Sequence, residues 1–182
     1  MKYLIVLFLV FIQLSYAQSF TIENNGNQYK IHEILSQYIQ QKSISGNEKV
    51  AGEWLKKICQ QNGLYITQMG NSNGNYNFSA SIRPLSDHLP NIIFLNHIDV
   101  VPVGDSSKWN YPPFSGMIMD GRVWGRGAFD NKGAAIVQLA SVIQSARYFK
   151  DRELPFNVTF LAVSCEETQC QGGVNYVIEN HF

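Results

Sequence analysis

Apolar residues follow two rhythms along the chain. Residues 92–95 and 158–163 are short β-branched or aromatic runs ending on polar clusters, the pattern of strands buried on both faces. Residues 29–41 instead carry Ile31, Ile34, Leu35 and Ile39 at helical spacing, which predicts an amphipathic helix. Ser45-Gly46-Asn47-Glu48 reads as a capping box opening a second helix to residue 61, with Gly63 as its stop. Residues 64–69 and 76–82 read as strands separated by the Asn/Gly-rich loop 70–75. Asp120-Gly121 between apolar pairs predicts a tight hairpin turn. Residues 133–148 are Ala-rich with Ile136, Leu139, Ala140 and Ile143 on one face, hence a packed helix, and a further helix begins at 172. Helices alternate with strands, so the expected fold class is α/β, built in three layers.

Lys2 followed by an apolar core over residues 4–14, with Ser15 and Ala17 at the cleavage positions, has the form of a secretory signal peptide over 1–17. The run is shorter than the ~20 residues a spanning helix needs, so no stable membrane anchor is expected. Export to a secreted or periplasmic location follows. The 182 residues are 45% hydrophobic, enough for one domain with a real core. Their net charge of zero argues against a nucleic-acid partner. Cys59, Cys165 and Cys170 are too few and scattered for a disulfide framework, and without a C-x-x-C a thiolate zinc knuckle is unsupported.

Candidate chemistry gathers at the ends of the two buried strands, where α/β sheets place ligands. His97 and Asp99, two apart on an extended segment, point to one face and suit an imidazole ligand with an orienting carboxylate; a satisfied surface pair would look the same. Asp130 ends the glycine-punctuated segment 125–133 and equally suits a helix cap. A dinucleotide fingerprint fails there, because the sixth position is Asp130 rather than glycine. Glu166-Glu167 follow a buried strand, where mutual repulsion raises one pKa unless a cation relieves it. One carboxylate could then bind metal and the other act as a general base; two solvated acids are the plain alternative. Gly104-Asp105-Ser106 lacks the companions of a serine hydrolase, and no G-x-S-x-G occurs.

In order, these motifs are His97-Ile98-Asp99-Val100-Val101-Pro102, Trp109 with Pro112-Pro113-Phe114, Asp120-Gly121, Trp124-Gly125-Arg126-Gly127, Asp130-Asn131-Lys132-Gly133 and Glu166-Glu167. The series resembles the di-zinc exopeptidase family of glutamate carboxypeptidase, aminoacylase, acetylornithine deacetylase and succinyl-diaminopimelate desuccinylase. The Val-Val-Pro and Pro-Pro-Phe-Ser-Gly wording is nearest to its carboxypeptidase S and N-acyl-amino-acid hydrolase branch.

The resemblance implies a zinc-exopeptidase-like catalytic domain over 18–182, as the N-terminal part of a longer protein whose lid domain lies elsewhere. It implies that His97, Asp130 and Glu167 are metal ligands, Asp130 bridging two Zn2+ ions, for which cobalt or manganese could substitute. Glu166 would be the general base and Asp99 would steer the His97 ring. The Asp130-Asn131 peptide would be cis. The implied reaction is hydrolysis of an amide bond in a small peptide or N-acyl amino acid by metal-activated water. Cys165 departs from the family, where an acidic or small residue is common; it is expected to be an inert core thiol or an adventitious ligand. Thr168 to Gln171 also intervene before the usual glycine pair. The competing readings are a truncated, non-catalytic secreted α/β module and an aminopeptidase of a related di-zinc family. Asn77-Phe78-Ser79 and Asn157-Val158-Thr159 are glycosylation sequons in a eukaryotic host.

Overall fold

The computed structural model describes residues 20–70, 75–87 and 89–181, so the expected signal peptide lies outside the described residues. An antiparallel hairpin comes first, β1 (Thr21–Asn24) and β2 (Asn27–Lys30). It turns on Asn25 and Gly26 at φ 52° and 80°, the two-residue geometry that an Asn-Gly pair favours. The helix expected from residue 29 therefore starts later, as α1 (Ile31–Gln40), because Tyr29 pairs with Ile22 in the hairpin.

α2 (Lys49–Gln61) follows, but the predicted capping box does not form. The Glu48 carboxylate turns back to accept from the Gly46 N–H at 3.0 Å, and Ser45 Oγ leaves the helix to donate to Asp99 Oδ2 at 2.8 Å. The other end closes as expected. Gly63 at φ 79° lets its N–H reach Gln60 O at 3.1 Å and the Leu64 N–H reach Cys59 O at 3.1 Å.

The central sheet holds β3 (Tyr65–Gln68), β4 (Phe78–Ser81), β5 (Asn91–His97) and β8 (Asn157–Val163) in the order β3-β4-β8-β5. β5 and β8 run parallel, while β4 is antiparallel to both of its neighbours. A small outlying hairpin joins β6 (Met117–Met119) to β7 (Arg122–Trp124) through Asp120-Gly121.

One face of the sheet is covered by α1, α2 and α3 (Lys132–Tyr148), which close a core around Ile34, Tyr38, Leu55, Phe78, Ile136 and Phe160. The opposite face is covered by α4 (Val174–His181), whose Val177 packs with Met69, Leu161 and Val163. The result is the three-layer α/β arrangement that the alternation of elements implies. β8 is buried along its whole length, as expected of its apolar run, whereas β5, expected to be buried likewise, lies at the sheet edge and leaves Ile92, Ile93 and Leu95 exposed. Among the described residues, no helix is long and apolar enough to cross a membrane.

A candidate metal centre at the ends of β5 and β8

Parallel pairing sets the site. His97 lies opposite Val163, and the Ile98 N–H bonds to Val163 O at 2.8 Å, so the two strands stop side by side. The chain beyond β8 then runs past Asp99. Its fully buried carboxylate accepts the Glu166 N–H on Oδ1 at 3.0 Å, the Glu167 N–H on Oδ2 at 3.1 Å, and the Ser45 hydroxyl. Asp99 is thus the knot between β5, the Glu pair and the start of α2. Burial raises its pKa, but His97 and these donors outweigh that penalty and hold the carboxyl below the usual range.

His97 is nearly buried. Nδ1 is 3.0 Å from the Asp99 backbone carbonyl and 3.4 Å from its Oδ1. The steering contact is therefore shared between main chain and side chain of Asp99. The other ring nitrogen, Nε2, lies 3.1 Å from Asp130 Oδ1 and 3.8 Å from Glu166 Oε2. Burial lowers the pKa of the imidazole, but the Asp99 and Asp130 carboxylates outweigh it and raise it to about 9. Glu167 is raised by burial and by the negative charges of Asp130, Asp99 and Glu166, against the opposing pull of His97.

Asp130 arrives from the loop between β7 and α3. Gly127, at φ 84°, lies against the Val100 side chain, and its carbonyl accepts the Lys132 N–H at 2.9 Å. The Asp130-Asn131 peptide is cis, as the resemblance implies. Lys132 anchors the segment from below. Its ammonium donates to Tyr38 O at 3.1 Å and Gln41 O at 2.6 Å, at the carbonyl end of α1, and lies 4.5 Å from the Tyr38 ring centroid. Burial pulls this ammonium down to about 7.

His97, Asp130 and Glu167 each bring one ligand atom to within 4.8 Å of the others. An imidazole and two carboxylates form a donor set suited to zinc and to other borderline divalent ions. Three donors serve one four-coordinate ion with an open position; a second ion needs donors these three cannot supply. Glu166 stands at the rim, its side chain 58% exposed. A cleft of about 380 Å³ opens beside it, walled by Leu95, Asn96, Asn131, Val163 and Val174.

Several site residues were invisible in the sequence. Cys165 is neither a free core thiol nor a ligand: it forms a disulfide with Cys170 across the Glu pair, so these two cysteines are paired after all. Their spacing within a turn was the available signal. Asn77, a sequon residue by its pattern, is fully buried, donating to Met69 O and Gly172 O and accepting the Ser164 N–H. Ser164 Oγ in turn bridges the Tyr76 N–H and carbonyl. No short-range pattern announces such contacts between residues nearly ninety positions apart.

The pattern of Peptidase family M20/M25/M40 matches residues 93–182, the stretch that carries all three candidate donors. A succinyl-diaminopimelate desuccinylase of Orientia tsutsugamushi (strain Boryong) is 32% identical over 153 residues, which is 82% of this chain and 38% of that protein. Over residues 93–182 the chain is similar to peptidase family M20/M25/M40. An M20 family metallo-carboxypeptidase of Sulfolobus solfataricus superposes with a TM-score of 0.69 at 25% identity, covering 84% of this chain and 34% of that one. A dinuclear metal-binding M20 peptidase of Bacillus subtilis shares the fold, with a TM-score of 0.55 at 19% identity over 82% of this chain and 39% of its own. The chain thus spans well under half the length of the curated relatives it matches.

Proposed function

We propose that this chain carries the N-terminal part of the catalytic domain of an exported, zinc-dependent amidohydrolase. Its substrate is a small peptide or an N-acyl amino acid, and its branch is that of carboxypeptidase S and the N-acyl-amino-acid hydrolases. The observation that carries the reading is the convergence of His97, Asp130 and Glu167 beside an exposed carboxylate, Glu166, at the mouth of a cleft.

The three donors would hold the ion through His97 Nε2 and one carboxylate oxygen each of Asp130 and Glu167. A zinc ion there acidifies a bound water and polarises a substrate carbonyl. The chain's own residues supply the rest. Asp99 keeps His97 Nδ1 engaged, so loss of the imidazole proton exposes the Nε2 lone pair towards Asp130. Glu166 Oε2, close to that nitrogen but free of the Asp99 knot, takes a proton from the attacking water and returns it to the leaving amine. The cleft beside it, with apolar walls and amide side chains, admits the scissile group. The family's metallo-carboxypeptidase and desuccinylase relatives support hydrolysis of an amide bond.

Titration of the chain with zinc tests the assignment. Weak, chelatable binding is expected, abolished by His97→Ala, with little or no hydrolysis by this chain alone. Unchanged zinc binding in the His97→Ala variant would remove the proposed centre.

A further inference from the structure

The turn that presents Glu166 and Glu167 has little to hold it by packing. Glu166, Thr168, Gln169 and Gln171 are exposed, and Cys165 is the one buried residue between 165 and 171. Its backbone is also unfavourable, because Cys165 at φ 52° and Gln169 at φ 51° both occupy the left-handed region that non-glycine residues avoid. Such a conformation persists only where its surroundings over-determine it. On one side, Asp99 receives both Glu amides. On the other, the Cys165–Cys170 disulfide closes the turn across a Cα–Cα distance of 5.7 Å, seconded by the Cys170 N–H to Cys165 O bond at 3.3 Å. The same link joins the turn to α4: the Gly172 N–H points at Cys170 Sγ at 3.3 Å, and Gly173 is pressed against Ser164 O.

We propose that Cys165 and Cys170 are positioning residues, and that their disulfide holds the Glu166 and Glu167 carboxylates in the arrangement that binds metal. This rests on the metal-centre reading above and adds to it that the centre is completed by oxidation. Without the bond, the two carboxylates are held only by the Asp99 hydrogen bonds and the turn's own, such as the Gln169 N–H to Glu166 O at 3.0 Å, and sample orientations away from His97 and Asp130. An oxidising compartment is where such a bond forms and lasts, which agrees with the exported location proposed above.

The test uses the 182-residue chain with zinc alone, by competition against a chromophoric chelator. The double variant Cys165→Ser/Cys170→Ser removes the bond without leaving thiols that bind zinc themselves, and Cys165→Ala/Cys170→Ala repeats it without hydroxyls. Both should remain folded by circular dichroism and bind zinc about 10-fold or more weakly, the scale seen when a ligand loses its support. Folded variants with wild-type zinc affinity would overturn the proposal. Should neither variant fold, hydrogen exchange on the wild type decides. A phosphine reductant supplies two electrons, the S–S bond breaks to two thiols, and water provides their protons and the oxygen taken up by phosphorus. Amide exchange should then accelerate across residues 165–173 while β5 and β8 stay protected; unchanged exchange there refutes the proposal. If the oxidised wild-type chain binds no zinc, the metal-centre reading falls instead, and the exchange experiment still decides what the disulfide positions.

Discussion

At His97 the carboxylates that orient the ring also hold its proton. With a folded-state pKa near 9 against an ordinary 6.5, the charged ring stabilises the metal-free fold fully below about 6.5, and that contribution is lost as pH rises through about 9. Zinc must displace the same proton, so zinc affinity is expected to climb steadily between those limits. The raised pKa of Glu167 acts in the same direction. Zinc titrations across that range check this, and an affinity indifferent to pH would exclude His97 as a ligand. Glu166 behaves differently if it is the base. In any form of the protein that turns over substrate, Glu166→Gln should leave zinc affinity intact while kcat falls by about 10²–10⁴-fold. What the sequence revealed at this scale was the residues whose chemistry is conspicuous, namely His97, Asp99, Asp130 and the Glu pair. What it hid were ordinary residues given work by distant partners. Ser45 resembled a helix cap because the capping pattern is local, yet its hydroxyl goes to a carboxylate 54 positions away.

Among the elements, α3 shows how a helix start can aim a loop residue. Gly133 lies so close to the Ala128 carbonyl oxygen that an added Cβ would collide with it. Gly133→Ala should therefore destabilise the fold by about 1–3 kcal/mol, read as a lower urea midpoint at unchanged slope. At the same end of the sheet, Asn77→Ala strips partners from Met69 O, Gly172 O and the Ser164 N–H. A buried loss of that kind costs about 1–3 kcal/mol for a group left unsatisfied, and equilibrium unfolding would measure it. Elements with a strong apolar rhythm, such as β8 and α3, were legible to within a residue or two. The β1–β2 hairpin was not, because its strands are mostly polar and pair with each other rather than with the central sheet; Asn25-Gly26 was the signal to weigh.

Across the whole molecule, the alternation of helix and strand was enough for the layers but not for strand direction. The antiparallel placement of β4 depends on contacts such as that of Asn77 with Ser164, which join distant parts of the chain. Among the described residues β5 is the last strand of the sheet, and Ile92, Ile93 and Leu95 on it are 49%, 38% and 47% exposed. An apolar edge strand invites pairing with another chain. This chain alone should associate as its concentration rises, and Ile93→Lys should shift light scattering towards the monomer. Retained association in that variant would show that another surface is responsible.

The burial of both sequon asparagines bears on how the protein can be made. Asn77 and Asn157 are 0% and 2% exposed, and their amides donate to the backbone carbonyls of Gly172 and Arg83 beside the sheet. In a host that attaches glycans to nascent polypeptides, a sugar added at either position before the sheet closes could not be accommodated afterwards. Speed of folding would then divide the product between an unmodified native fraction and a decorated one that never matures.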